Sequence, residues 1–323
     1  MIREKPSTGG LVAPGILLVL LTALISGVST FVNAYAVADA NSDAFVAVRN
    51  VAVAAMLVPL ALLAGRTARA RLTRVDWARL AAIGLIGGAI PFLLFFRGIQ
   101  MATAAGGAAT ASFGYRTLFL MATVLGVVLL KERLSPRVAL AAGLLLAGNT
   151  LLLSVTAPVW TDGTAYVLAA TALWAGEYTL SKRALRDLPS GTVALGRMGF
   201  GGAFLMAYVA LTGQLGAVAG FGAVQWEWIA LSAILLVGFV TTWYAGLKHV
   251  DLSVATSALL LAFPITWVLG VVVAGRPLAL AAAAGAVVVV FGVVLAIGAA
   301  SLRQTWANLL DAAVARLRRA TRR

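Results

Sequence analysis

Cysteine is absent from this 323-residue chain, which excludes disulfides, thiolate metal sites and cysteine nucleophiles. A single histidine, His249, makes no metal site without carboxylates beside it. In "LKHVD" it reads as an interfacial residue at a helix end. Charged residues are scarce too, 11% of the total against 62% hydrophobic. The connectors are short, "AGRTARARLTRVD" among them, so there is no room for a separate soluble domain. No Walker-type phosphate loop occurs either, so any energy source is a gradient rather than ATP.

Long apolar runs fill the rest. A membrane-crossing helix needs about 20 mostly apolar residues, and ten segments meet that description: 13–35, 44–64, 77–97, 103–129, 137–156, 164–182, 192–212, 227–247, 252–274 and 278–300. The expected fold is all-α, a polytopic membrane protein. The formal charge of +14 suggests nucleic acid until its placement is considered. With the N-terminus inside, all but five of the 25 basic residues fall on cytoplasmic segments, which is where Lys and Arg are retained. Arg97 and Arg276 lie near the outer loops, while Arg49, Arg116 and Arg197 lie within spans. Charge therefore reports topology: both termini cytoplasmic, in the plasma (inner) membrane, and no nucleic-acid partner. Residues 1–40 imitate a signal peptide ending in "AYAVADA", but an internal copy of this helix argues for its retention.

That copy is visible when "TALISGVSTFVNAYA" (22–36) is set over "TALWAGEYTLSKRAL" (171–185). Thr, Ala, Leu, Gly and Thr coincide at a constant offset. "VDW" at 75–77 matches "VQW" at 224–226, "VLGVV" occurs at 124–128 and 268–272, and Arg49 falls opposite Arg197. The matches are collinear, so the chain reads as two five-span repeats, 13–156 and 164–300, followed by a tail, 301–323. Five is odd, so the second repeat is inverted, an architecture of secondary transporters that places the solute site at the repeat interface. In the tail, Leu302, Trp306, Leu309, Leu310, Ala313, Val314 and Leu317 share one face and arginines fill much of the rest. This pattern suits a helix lying on anionic inner-leaflet lipids.

The ten-span double repeat resembles the EamA-type members of the drug/metabolite transporter superfamily over about 13–300. The piece most similar to that family is "LLKERLSPRVALAAGLLLAGN" (129–149), which matches its usual end of the fourth helix and entry to the fifth. "LWAGEYTLSKRAL" resembles its sixth helix, and Arg49 and Arg197 match positions often filled by arginine. Two departures stand out. Pro264 occupies the usual proline position of the ninth helix, while Arg116 stands at the corresponding place in the fourth. "GRPL" (275–278) replaces "KERL" (131–134), leaving Glu132 without an acidic counterpart. The resemblance implies a secondary-active permease that moves a small organic metabolite by alternating access, with export favoured over import. It does not specify the substrate.

The residues themselves supply the candidate site. Arg116 sits far from either end of its span, where an unpaired charge costs at least about 3 kcal/mol. It reads as a buried partner of Glu177, as an anchor for an anionic or zwitterionic solute, or as a snorkelling cation. Tyr115 beside it packs on lipid or lines the cavity. Trp174, Glu177, Tyr178 and Ser181 share one helical face. Glu177 is either a partner for Arg116 or Arg197, or a carboxylate that carries a coupling proton. Thr22, Ser26, Ser29, Thr30 and Asn33 form a hydroxyl stripe suited to close helix packing, with Asn33 the one best placed for a cavity. Tyr244 and Trp267 read as cavity walls, Trp243 as a belt residue, and Glu132 as a cap for a short turn or a partner of a loop arginine. No cofactor is expected. A lipid or lipid-carrier flippase on the same fold remains an alternative. A membrane-embedded lipid-modifying enzyme would need a His/Asp/Glu cluster at the membrane surface, which the sequence does not show. A sensor or scaffold would not need the inverted repeat.

Overall fold

In the computed structural model, residues 9–36, 41–64, 72–153 and 158–298 are described, with a few positions between 301 and 307. Most of the tail expected as an amphipathic helix, 301–323, therefore lies outside the described residues. Ten long helical segments make up the bundle: α1 (Gly9–Ala36), α2 (Ser42–Ala64), α3 (Arg74–Ala104), α4 (Ala108–Leu130), α5 (Pro136–Leu153), α6 (Asp162–Ala184), α7 (Ser190–Leu211), α8 (Ala223–Leu247), α9 (Leu252–Val272) and α10 (Leu280–Ile297). No strand occurs among the described residues. Helices suit these runs because every backbone N–H and C=O is satisfied within the segment, which a bilayer interior demands. Their outer faces carry Leu211, Val272, Leu280 and Val287, all exposed, as a lipid-facing surface requires.

Among the described residues, nine helices are long and apolar enough to cross a membrane. The sequence reading expected ten, and the exception is α6. Its 23 residues are sufficient in length, but Glu177, Ser181, Tyr178 and several threonines dilute its hydropathy. These groups point into the bundle, where α6 is packed by α3 and α4. The most interior helix is thus the least apolar one.

Packing follows the repeat. The main neighbours are α1 with α8, α3 with α6, α2 with α7, and α5 with α10. Exchanging the halves, α1 for α6 and so on, leaves these pairings unchanged. The two repeat-related crossings use the same device. In α3–α6, Gly98 faces Gly163, and a Cβ on Gly163 would collide with Ala102 N and Gly98 O. In α1–α8, Gly15 faces Gly246, and a Cβ on Gly246 would meet Gly15 O at 3.0 Å and Val19 Cγ2 at 2.7 Å. Small residues let helix backbones touch where lipid offers no hydrophobic drive.

Helix ends and breaks also repeat. After α4, Glu132 N donates to Gly126 O at 3.1 Å; after α9, Arg276 N donates to Gly270 O at 3.0 Å. Both turns pass through a left-handed residue, Lys131 at φ 61° and Gly275 at φ 64°. "KERL" and "GRPL" therefore make one turn with two chemistries. Both α4 and α9 are interrupted midway, at Thr117 and around Leu260–Leu261, and α3 is widened into a π-helical turn over Gly84–Ala89.

Gly163→Val is expected to destabilise the folded protein by about 1–3 kcal/mol through overpacking of the α3–α6 crossing. Gly143→Ala, where an added Cβ meets nothing, should leave it unchanged. Thermal unfolding in detergent compares the two.

Candidate functional site

The polar stripe of α6 turns inward as a unit. Trp174, Glu177, Tyr178 and Ser181 are all buried, Glu177 completely. A carboxylate without water needs donors from the protein, and Glu177 Oε1 receives two: Ser181 Oγ at 2.5 Å and Tyr244 OH of α8 at 2.7 Å. Its other oxygen, Oε2, has no hydrogen-bond partner. Arg197 of α7 stands 3.7 Å away from it, an ion pair longer than a hydrogen bond. Of the two arginines named as candidate partners for Glu177, the structure pairs it with Arg197.

The π turn in α3 explains why these groups fit. Widening the helix frees carbonyls from the regular ladder. Gly87 O accepts Trp174 Nε1 at 3.0 Å and Arg197 Nη2 at 3.1 Å, and Gly88 O accepts Asn50 Nδ2 at 3.0 Å. Gly87 must be glycine because a Cβ there would run into Glu177 Cγ. Arg49, the repeat counterpart of Arg197, is also buried. It donates to Asn50 Oδ1 at 3.1 and 3.3 Å and lies 5.3 Å from the Phe92 ring. Arg197 pairs with Glu177, while Arg49 is held by Asn50 and Phe92.

Arg116 ends the first part of α4 and lies apart from Glu177. Its Nη1 donates to Asn149 Oδ1 of α5 at 3.0 Å, and its guanidinium sits 4.1 Å from the ring of Phe263 in α9. Phe263 precedes Pro264, so the two interrupted helices meet where the sequences of the repeats diverge. A band of rings joins the two regions. Phe92 and Trp174 are 5.4 Å apart, Trp174 and Tyr115 5.5 Å, and Tyr115 and Phe263 6.0 Å.

The structure thus brings together Trp174, Glu177, Tyr178 and Tyr244, with Tyr115 against Trp174. Asn33 is elsewhere, accepting from Ser232 Oγ at 2.7 Å along the α1–α8 seam. Trp267 packs toward Leu152, Ala282 and Ala286 of α5 and α10. Trp243, read as a belt residue, is fully buried and packs 4.6 Å from Tyr178. Asn50, Asn149, Phe263 and the Gly87 carbonyl went unnoticed in the sequence. The closely spaced Gly84, Gly87 and Gly88 are the signal in the sequence that points to the last of these.

The two faces of the bundle differ. At the face bearing the 130–136, 184–190 and 247–252 connectors, Glu132 reaches across to the other repeat and accepts Leu252 N at 2.8 Å and Ser253 N at 3.4 Å. It caps α9, the cap foreseen for a short turn being instead one for a distant helix. Burial pushes its carboxyl above the usual range, against the pull of those two N–H groups. Lys182 Nζ donates to Leu247 O at 2.6 Å and Val250 O at 2.5 Å, and Arg183 Nη2 to Leu129 O at 2.6 Å. His249 lies here too, its imidazole pKa lowered by burial and by Lys248 and Lys182. At the opposite face a cleft of about 610 Å³ opens between α2, α3, α6 and α7.

The profile of the EamA-like transporter family matches residues 13–154 and again 162–298. The chain belongs to the EamA-like transporter family. It is a multi-pass membrane protein, and its family handles small-molecule solutes. One solved crystal structure matches with a TM-score of 0.71 over 87% of this chain and 96% of that one, at 20% identity, and shares the fold. No curated protein matches this family member.

Removing one member of a buried ion pair costs about 3–5 kcal/mol because the other is left uncompensated. Glu177→Gln and Arg197→Gln are therefore each expected to lower the unfolding midpoint strongly, and the double variant to cost less than their sum. Glu177→Gln with Arg116→Gln should be additive. A double-mutant cycle read by thermal unfolding separates the two pairings.

Proposed function

We propose that this transporter is a gradient-driven exporter of a small organic solute, anionic or amino-acid-like, working by alternating access across the inner membrane. The observation that carries the reading is the difference between the faces: a cleft opens at one, while cross-repeat contacts of Glu132 and Arg183 close the other. Five spans per repeat, and pairings unchanged by exchanging the halves, support an inverted pair able to swap these arrangements. The basic face is the cytoplasmic one by the retention of Lys and Arg, which makes this an outward-open state with both termini inside. Export follows by analogy with the family.

Arg116 is the anchor for the anionic group. Asn149 takes one of its five N–H donors, and the half-buried guanidinium keeps others for a carboxylate or phosphate. Glu177 is the proton-coupling carboxylate, because a proton on Oε2 displaces no hydrogen bond. The flippase alternative has one observation in its favour, an apolar groove of about 370 Å³ lined by Leu120, Met121, Val124, Leu125 and Ala172. Transport that requires a long acyl chain would select it.

Two measurements test this function. Small carboxylates or sugar phosphates should raise the unfolding temperature of the wild type, and Arg116→Gln should weaken their binding about 10- to 100-fold, the worth of charge-assisted hydrogen bonds. If no solute shifts either protein, the anchor assignment fails. The absence of cysteine makes Ser253→Cys a clean probe beneath the Glu132 cap. It should resist an impermeant thiol reagent applied at the basic face, and react faster once transported solute or a further Glu132→Ala change opens that face. Equal labelling in all cases would rule out a closing latch.

A further inference from the structure

Two charged side chains line the open cleft and take no part in the buried cluster. Asp43 stands in the first turn of α2, and Arg97 lies near the far end of α3. Among the described residues, the ion pairs within 4.0 Å involve only Arg79 and Arg197 on the cationic side. Asp43 and Arg97 therefore share a cavity without touching an opposite charge. Arg97 is near enough for its field to reach the Asp43 carboxylate.

The surroundings are fixed rather than loose. Gln214, beside Asp43, accepts Asn41 Nδ2 at 2.8 Å and donates to Thr212 Oγ1 at 2.8 Å, which orients its amide. Asn41 also accepts Ala44 N at 3.0 Å, fixing the start of α2 and with it Asp43. Tyr166 and Tyr208 add phenols to the wall, and Leu93 and Leu94 an apolar strip. A volume of about 610 Å³ lies within the range of small-molecule sites.

A cleft for a simple anion gains nothing from Asp43, which would repel it. A cleft for a simple cation is opposed by Arg97 in the same way. One molecule bearing both charges recovers both. We propose that this cleft is a binding site for a small zwitterion, its ammonium end at Asp43 and its acidic end at Arg97. As the outer-face station on the solute path, it rests on the transport reading. As a binding site it stands alone. It is a second site, on α2 and α3, while Arg116 lies on α4.

The test uses the full purified chain and titration calorimetry. Leucine and glutamine serve as zwitterions, with isopentylamine and N-acetyl-leucine as the singly charged analogues of leucine. Leucine is expected to bind, and each analogue about 10- to 100-fold more weakly, one charge-assisted contact having been lost. Arg97→Gln should abolish the preference for leucine over the amine, and Asp43→Asn the preference over the acetylated acid. Asp43→Glu should restore the latter, which a role of Asp43 confined to the α2 terminus would not require. Unliganded melting curves check that each variant is folded. The proposal is overturned if neither zwitterion binds, if an analogue binds as well as leucine, or if both charge-removing variants keep full discrimination. Proteoliposomes separate the two readings. Leucine bound but never carried removes leucine as the transported solute and leaves the cleft. Leucine carried at unchanged rate by both variants removes the cleft and leaves the transporter.

Discussion

A carboxylate sealed in an apolar bundle must draw every hydrogen bond from its neighbours, and Glu177 sets the terms on which four helices meet. Ser181 comes from its own helix and Tyr244 from α8, while Arg197 approaches from α7 and α3 clears a space at Gly87. Bulk solvent does not reach the carboxylate, none of which is exposed. The widened turn of α3, the glycine at 87 and the low hydropathy of α6 are all consequences of housing this one charge. An unpaired oxygen on Glu177 beside an unpaired Nε on Arg197 leaves the pair incompletely satisfied.

Much of this was legible in the sequence. Segment length and apolarity delimit the spans because backbone satisfaction in lipid leaves few alternatives. The repeat was legible through collinear matches, and Arg49 opposite Arg197 proved informative, since both guanidinium groups enter one cluster. The helical face of Glu177 followed from spacing. Its partner did not, because periodicity fixes which side a residue occupies and not which helix lies there. Arg116 therefore looked as eligible as Arg197. Asn149 and Phe263 were invisible for the same reason, each being defined by a contact across the bundle. The π turn eluded a reading that assumes 3.6 residues per turn throughout.

The asymmetry between the faces comes from a single geometric element used twice. Both repeats close their fourth helix with the same six-residue reach, Gly126 to Glu132 and Gly270 to Arg276. In one copy the residue after the left-handed position is an acid that caps a helix of the other repeat. In the other copy it is an arginine, whose side chain lies back over Gly270. One sign of charge ties the repeats together through this turn and the other does not, so a near-symmetric scaffold is joined differently at its two faces.

The extra residue of the turn at Gly84–Ala89 also alters what α3 can touch. An α-helix advances about 100° per residue, so one inserted residue swings the contact face of everything beyond it by roughly that angle. Before the turn, α3 sets Leu80 against Gly196 of α7; beyond it, Gly98 meets Gly163 of α6. A single continuous rod thus changes partners midway, and the phase slip does the work of a joint without a break in the backbone.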